Sequence, residues 1–383
     1  MIVIIDLSDL DIGNIANLDK AVESQLDKLA LLREEVKKLK YVPIDPVGDY
    51  NFVAYKAIDG GRMKINFNPM EIDIVNVSDS NDTTKIQFAF PRGNDLDEDD
   101  VKDMIDTITS SNPLLENFVH MFGESKISKI SEVWKDPDSL MEIGEWACIF
   151  DRIQKSQDPT LIIKDGLLRT KKIKHELIGR MIEKIEGNKK VVKLAGVSKT
   201  SSILTLISSS LTIEKVFPGN GIGYVKIPRK LELLAYTWTG KGLISGEKKK
   251  RLYFAFGDLY IAKLSPNSNL LVTIEMPKHL GEEEKEDRDI YTSLEISEVM
   301  GHLAKNSRSS YPIIGYPQTL VRAHEAAARV GFDASIVSDR VKEVMMKKLD
   351  DDEKAKNYMR DADMIDEYIN KGVLGGTKNV EWG

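Results

Sequence analysis

The chain has 383 residues, a formal net charge of −7 and 42% hydrophobic residues, a composition typical of a globular protein with one large or two medium domains. Its single cysteine, Cys148, excludes an internal disulfide framework and a cysteine-rich zinc site. No apolar stretch approaches the roughly 20 residues that span a bilayer, and the apolar residues 1–5 lack the basic leader of a signal peptide. We therefore expect a cytoplasmic protein without a membrane partner.

Charge is distributed unevenly along the chain. From Lys164 to Lys199 there are eleven Lys or Arg against four Asp or Glu, so this stretch carries +7, whereas acidic runs lie elsewhere. The negative net charge argues against general electrostatic binding to nucleic acid, but a local basic surface is able to hold a phosphate backbone. A solvated helix face is the simpler interpretation of such a run.

The first part of the chain predicts a helix and then an antiparallel meander. Residues 18–40 carry leucine and valine at helical spacing, which indicates an amphipathic helix. Four strand-like runs separated by turn-forming residues follow: 52–58, 63–67, 72–77 and 85–90. Further helices are expected over 101–109, 114–122 and 139–154.

The next part alternates strands with helices. The apolar residues 161–163 are typical of a strand buried on both faces, and they lead to Asp165 and Gly166. A helix over 171–185 and a strand over 191–197 follow. This alternation after an antiparallel start predicts an α/β fold with a mixed sheet flanked by helices.

The remaining segments define the expected domain organisation. A less regular, β-rich region at 201–290 is expected to contain an exposed basic loop over 240–251 and strands over 251–264 and 270–276. Helices follow over 291–305 and around Ala323. The chain is thus expected to have three parts: an N-terminal helical segment (1–48), a central domain (49–333) with an insertion around 201–290, and a charged helical C-terminal extension (334–383).

Three carboxylates are candidates for one metal site. Asp59 and Asp165 each precede a glycine where a predicted strand ends, and Glu145 projects from the helix before the second of these strands. At the carboxyl edge of a sheet such groups form the hard oxygen cage that Mg²⁺ or Mn²⁺ prefers. Each Asp-Gly pair alone is more often a turn. Glu142, one helical turn away, is the alternative to Glu145.

Five motifs stand in a fixed order along the chain: Ala57-Ile58-Asp59-Gly60-Gly61, Gly144-Glu145-Trp146-Ala147, Lys164-Asp165-Gly166-Leu167-Leu168-Arg169, Gly196-Val197-Ser198-Lys199-Thr200-Ser201 and Gly315-Tyr316-Pro317-Gln318-Thr319-Leu320-Val321-Arg322-Ala323-His324-Glu325. In order and spacing they resemble the NurA nuclease family from about residue 50 to 332. The resemblance implies a ribonuclease-H-like fold, with the β-rich region and the helical N- and C-terminal extensions added to it, and assembly as a toroidal homodimer. It also implies a Mn²⁺-dependent DNA nuclease with 5′→3′ exonuclease and single-strand endonuclease activity. The resemblance further implies that the partner is the hexameric HerA ATPase and that the pair acts in double-strand break resection.

The resemblance also assigns the site residues. The family's metal ligands match Asp59, Glu145, Asp165 and His324. Tyr316 matches an active-site tyrosine. Lys199, at a predicted strand end, would meet a phosphate or the charge of the transition state, with a surface lysine as the alternative interpretation. A histidine ligand is compatible with Mn²⁺ and less typical of Mg²⁺, although a lone histidine in an alanine-rich helix is more often packed or exposed.

The sequence departs from the family pattern at two positions, and two alternative functions are compatible with it. Gly61 stands where the family usually has serine, and Leu167 where serine or proline is frequent, so hydrogen bonding around the ligands differs. A catalytically silent subunit that clamps DNA or tethers a motor is the alternative function, and retention of all four ligand candidates argues against it. A nuclease acting on RNA or hybrid substrates cannot be separated from a DNA nuclease by sequence.

Overall fold

A computed structural model describes residues 29–45, 54–67, 70–81, 83–92, 97–238, 255–281 and 284–329, and the positions 336–337, 339–341, 343–344 and 347. These residues form a large mixed sheet flanked by helices, which confirms the predicted α/β class. Within the same ranges, none of the helices combines the length and the apolar content that a membrane crossing requires.

The strands are β1 (Tyr41–Pro43), β2 (Ala54–Phe67), β3 (Met70–Asp79), β4 (Thr83–Arg92), β5 (Thr160–Asp165), β6 (Val192–Ser198), β7 (Gly223–Lys226), β8 (Gly257–Lys263), β9 (Leu271–His279) and β10 (Arg288–Asp289). Across the described residues their order is β1-β7-β8-β9-β6-β5-β2-β3-β4, and β10 pairs with β9. The pairs β2–β5 and β5–β6 are parallel, and the other pairs are antiparallel. The predicted meander is therefore present as β2, β3 and β4.

The helices are α1 (residues 29–36), α2 (Glu98–Ser111), α3 (Pro113–His120), α4 (Ile127–Ile130), α5 (Pro137–Lys155), α6 (His175–Asn188), α7 (Ser202–Ile213), α8 (Arg229–Trp238), α9 (Ser293–Ser307) and α10 (Gln318–Ala327). Several begin with a side chain that accepts a hydrogen bond from a free backbone amide of the first turn: Asp97 for α2, Asn112 for α3 and Asp136 for α5. Thr292 and Glu295 form a reciprocal capping box at the start of α9. Local sequence thus determines where these helices start.

Residues 201–290 are more regular than their pattern indicated. They contain the unpredicted helices α7 and α8, and strands β7 to β9 extend the same sheet as β6. The buried apolar residues of α7 lie among serines and threonines, which obscures the apolar stripe in the sequence; they are Ile203, Leu204, Ile207 and Leu211. They pack with α1, α8, β7 and β8 in a second, smaller core.

Two predicted terminal segments and one loop lie mainly outside the described residues. Of the helix expected over 18–40, α1 is the described helical part. The basic loop at 240–251 falls outside the described ranges. The C-terminal extension is described only at single helical positions between 336 and 347, where Val337 and Val341 pack near Ile72 of β3.

Residues 59–61 form part of a strand and not the predicted turn. One predicted strand was expected to end before these residues and a second to begin after them, but β2 pairs with β3 through all three residues. A Cβ atom at Gly60 would lie 2.5 Å from Cγ of Met141 in α5, and one at Gly61 would lie 2.3 Å from the carbonyl oxygen of Ala327 in α10. These glycines allow two helices to approach the strand closely.

Helices cover both faces of the sheet around β2. Gly60 lies under α5 and Gly61 under α10. Because side chains alternate along a strand, Asp59 shares the α10 face with Gly61, whereas Ile58 shares the α5 face with Gly60. The larger core fills the space between the sheet and the helices α2 to α6, α9 and α10.

We expect Gly61→Ala to lower the free energy of unfolding by about 1–3 kcal/mol, because the added methyl group overlaps the backbone of Ala327 and forces β2 or α10 to move. Gly179→Ala in α6 is the matched control. A Cβ atom there meets nothing within 4 Å, so this change should stabilise the helix by about 0.5–1 kcal/mol. Urea denaturation measures both variants, and equal stabilities would contradict the close packing of α10 on β2.

Candidate active site

Three predicted site residues lie together on the α10 face of the sheet. One ligand atom each from Asp59, Asp165 and His324 lies within 4.8 Å of the others. Nδ1 of His324 is 2.9 Å from Oδ2 of Asp59, although these residues are 265 positions apart in the sequence. The tertiary structure therefore gathers two carboxylates and an imidazole into one group.

The pairing of β2 with β5 places the two aspartates next to each other. Ile58 pairs with Lys164 in parallel register, so Asp59 and Asp165 are the next residues on the two neighbouring strands. β5 ends at Asp165, as predicted. Gly166 then adopts a φ of +82° and donates its backbone N–H to the carbonyl of Val197. A positive φ favours glycine, so this residue allows the chain to turn directly after the carboxylate.

Tyr316 and Lys199 border the same group. The hydroxyl of Tyr316 donates a hydrogen bond to Oδ1 of Asp165 at 2.7 Å, and the tyrosine is only 1% exposed. Nζ of Lys199 lies 4.9 Å from the centre of the Tyr316 ring. Burial, together with the neighbouring carboxylate of Asp165, raises the pKa of Tyr316 well above its usual value. The tyrosine is therefore a hydrogen-bond donor at neutral pH.

The charges in this group perturb one another. Burial and the nearby charge of Asp59 raise the pKa of Asp165, against the opposing effects of Tyr316 and Lys199. The hydrogen bond to Asp59 raises the pKa of His324, and burial opposes that rise. Two close carboxylates with an imidazole form a donor set that suits Mn²⁺. Asp59, Asp165 and His324 thus fit the metal that the resemblance implies.

Glu145 lies beside this group but is not one of its members. It approaches from the α5 face, and its Oε2 is 2.6 Å from Nζ of Lys164. Burial raises the pKa of Glu145 to about 7, and the ammonium group of Lys164 opposes the rise. The role of Glu145 as a metal ligand stays a prediction. Glu142 lies one turn away, and its charge raises the pKa of Glu145 further.

Lys164 is the residue of this region that the sequence analysis did not single out. Its side chain is only 7% exposed, and it also donates a hydrogen bond to the backbone oxygen of Asp165 at 3.0 Å. A lysine inside an otherwise apolar strand was the available signal, because lysine is almost never buried unless it is paired. Its partner in another element was not visible in the sequence.

The basic residues between 164 and 199 do not form one surface. Lys164, Arg169 and Lys193 are buried in ion pairs with glutamates of other elements. The stretch runs through β5, α6 and β6, so its charges are distributed over different parts of the molecule. These three charges are engaged inside the protein and are not available to a phosphate backbone.

The fold and the site define an α/β protein with a candidate divalent-cation centre at the ends of parallel strands. The sequence matches the NurA domain over residues 55–329, which is well over half of the chain. The chain belongs to the NurA domain family. No curated protein matches it significantly.

Solved structures of NurA proteins are similar to this chain. The NurA nuclease from Sulfolobus solfataricus is 13% identical, with a TM-score of 0.45, over 88% of this chain and 97% of that chain. Another NurA structure is 11% identical, with a TM-score of 0.35, over 83% of this chain and 94% of that chain. A NurA structure with manganese is 11% identical, with a TM-score of 0.32, over 84% and 98% of the two chains.

We expect Asp165→Asn to raise the melting temperature of the metal-free protein at neutral pH by a few degrees. The amide removes a negative charge beside Asp59 and keeps an oxygen that accepts the hydrogen bond from Tyr316. Because the pKa of Asp165 is raised on folding, the ionised carboxylate destabilises the folded state above that pKa, and this cost disappears as the pH falls. The gain should therefore vanish below about pH 4, where aspartate is protonated in the unfolded chain as well.

Calorimetric melting in the presence of a chelator, at neutral and at acidic pH, measures this difference. Asp158→Asn is the control, because Asp158 is exposed just before β5 and should change stability by no more than about 0.5 kcal/mol. An Asp165→Asn protein that melts below the parent at neutral pH would show that burial and the charge of Asp59 do not make the ionised Asp165 carboxylate unfavourable in the folded state.

Proposed function

We propose that the chain is a metal-dependent nuclease that hydrolyses phosphodiester bonds in DNA. The observation that carries this proposal is the convergence of Asp59, Asp165 and His324 at the end of parallel strands in a member of the NurA domain family. Ligands drawn from β2, β5 and α10 form a preorganised donor set, as a catalytic metal site requires.

Asp59, Asp165 and His324 are the proposed ligands of a divalent cation, with Mn²⁺ as the first candidate and Mg²⁺ as the alternative. When bound, such an ion polarises the phosphate and lowers the pKa of water. The imidazole favours Mn²⁺, because Mg²⁺ is typically held by oxygen ligands. Glu145 borders the site from the opposite face of the sheet.

The other site residues act through hydrogen bonding and charge. Tyr316 keeps its proton and donates a hydrogen bond to Oδ1 of Asp165, which holds that carboxylate in one orientation. Lys199, next to the Tyr316 ring, supplies a positive charge for a phosphate oxygen or for charge that develops in the transition state. The proposed division of roles is thus metal binding by three residues, orientation by Tyr316 and charge stabilisation by Lys199.

We extend the proposal to the finer properties that the family resemblance implies. The core would be ribonuclease-H-like, which the antiparallel meander β4-β3-β2 joined to the parallel strands β5 and β6 supports. The activity would combine 5′→3′ exonuclease and single-strand endonuclease cleavage during repair of double-strand breaks in the cytoplasm. The chain would act as a homodimer together with a HerA-type hexameric ATPase.

Cleavage of end-labelled DNA tests the proposal. We expect the parent to cleave DNA in Mn²⁺ and to be inactive in EDTA. Asp59→Asn and His324→Ala should each lower the cleavage rate by at least about a hundredfold, because each variant removes a ligand. Asp158→Asn and His120→Ala, which change exposed residues, should keep the parent's rate. A parent that binds DNA without cutting it would instead support the non-catalytic clamp.

We expect Tyr316→Phe to reduce the cleavage rate by about tenfold to a hundredfold, because loss of a hydrogen-bond partner behind a metal ligand typically has an effect of this size. The phenylalanine ring fills the same buried space but leaves Oδ1 of Asp165 without its donor. Tyr311→Phe, at a tyrosine that is 80% exposed, is the matched control. Single-turnover rates measure both, and equal rates would exclude a role for the Tyr316 hydroxyl.

A further inference from the structure

A buried arginine ends the turn that follows a proposed metal ligand. Arg169 lies four residues after Asp165, and its side chain is only 7% exposed. Its guanidinium group donates to Oε1 of Glu232 in α8 and to both carboxylate oxygens of Glu275 in β9, the latter at 2.9 Å and 3.2 Å. Because β6 separates β9 from β5 in the sheet, Arg169 joins the end of this turn to a strand with which β5 does not pair.

The backbone of the turn is held at both ends. At its start, the N–H group of Gly166 donates to a carbonyl oxygen of β6 at 2.9 Å. At its end, the N–H group of Arg169 donates to Oε2 of Glu275 at 2.8 Å. Between these points the turn packs directly on Gly196 of β6, where a Cβ atom would lie 2.7 Å from a backbone nitrogen of the turn. The path of the chain after Asp165 is therefore fixed by β6 and β9.

Strand register places the anchor for Arg169. Lys164 pairs with Gly196 and Gly196 pairs with Glu275, so these residues form one row across β5, β6 and β9. The glycine in the middle of the row leaves room for the turn to cross β6, and the carboxylate at its end receives the guanidinium group. Glu275 is fully buried and also accepts hydrogen bonds from two backbone N–H groups beside the start of β8. It is therefore a fixed point for the arginine.

We propose that Arg169 is a positioning residue: by anchoring the turn to Glu275 and Glu232, it holds Asp165 in the orientation that binds the divalent cation. This inference rests on the proposed function and deepens it, because it gives a role in the metal site to a residue that acts through the backbone of a ligand. β5 ends at Asp165, so the position of this carboxylate depends on the turn that follows.

The chemistry of the anchor requires an arginine. A guanidinium group presents several N–H donors in a planar fork, whereas the ammonium group of a lysine is a compact charge on a flexible chain. Burial raises the pKa of Glu232 to about 7, and the positive charge of Arg169 opposes the rise, so the charge of the arginine is balanced within this cluster. A metal site tolerates displacements of only about 0.5 Å. A looser turn should therefore weaken metal binding even when the protein stays folded.

Titration of the metal-free protein with Mn²⁺, followed by electron paramagnetic resonance, measures the affinity without any substrate. The ion of the proposed site is identified by its loss in Asp59→Asn. The double variant Arg169→Met/Glu275→Gln removes one positive and one negative charge, so the net charge near the site is kept. We expect it to bind Mn²⁺ about tenfold to a hundredfold more weakly, the usual effect of losing a group that supports a metal ligand.

Arg169→Lys separates positioning from charge. It keeps the positive charge but not the fork, so we expect the affinity to fall by at least about threefold and the spectrum of bound Mn²⁺ to change. The matched control is Lys193→Met/Glu295→Gln, which removes an ion pair whose lysine is also 7% exposed. Lys193 lies in the first half of β6, away from Asp165, so the control should keep the affinity and the spectrum of the parent.

All proteins are compared well below their melting temperatures, so that a loss of affinity does not report unfolding. If both Arg169 variants bind Mn²⁺ as tightly as the parent, Arg169 does not position Asp165. If the Lys193 control loses as much affinity, the effect belongs to any lost ion pair and the proposal is equally wrong. If the double variant does not fold, Arg169→Lys decides.

The parent separates this proposal from the proposed function. A parent that binds no Mn²⁺ would remove the metal site together with the role of Arg169. A parent whose Mn²⁺ affinity is shared by both Arg169 variants would leave the proposed function intact and exclude only the role of the arginine.

Discussion

The parallel pairing of β2 with β5 is the constraint on which the site depends. It brings the carboxylates of Asp59 and Asp165 to the same sheet face on neighbouring strands, where burial and the charge of Asp59 disfavour the ionised form of Asp165. The protein reduces this cost with a hydrogen bond from Tyr316 to one aspartate and an imidazole beside the other. A divalent cation would relieve the same repulsion more fully, which is the physical basis for regarding the group as a metal centre.

Close packing of helices on both faces of β2 makes this arrangement possible. Gly60 leaves room for α5 and Gly61 leaves room for α10, so a carboxylate from one helix and an imidazole from the other reach the same strand. A residue with a Cβ atom at position 61 would overlap the backbone of Ala327, so glycine suits this contact.

Buried lysine and arginine residues change the meaning of the basic stretch between 164 and 199. Taken as sequence, it indicated either a solvated helix face or a local surface for a phosphate backbone. In the fold, Lys164 compensates charge next to the aspartates, and Arg169 binds two buried glutamates of the neighbouring elements. Lys199 is the member of this stretch that lies next to the Tyr316 ring in the proposed active site. Much of the positive charge in this stretch therefore neutralises buried carboxylates around the site.

Local patterns in the sequence determined the α/β class, the antiparallel meander, the end of β5 at Asp165 and the helix that carries Glu145, because periodicity and turn residues act over a few positions. They also nominated Asp59 and Asp165, whereas His324 was nominated by the resemblance to the NurA nuclease family. Only the tertiary structure decided that residues 59–61 continue a strand and that α7 and α8 form within the less regular region. It alone showed that Glu145 faces Lys164 while His324 faces Asp59. Such contacts depend on which faces of distant elements meet, and the local preferences of short sequence segments do not determine this.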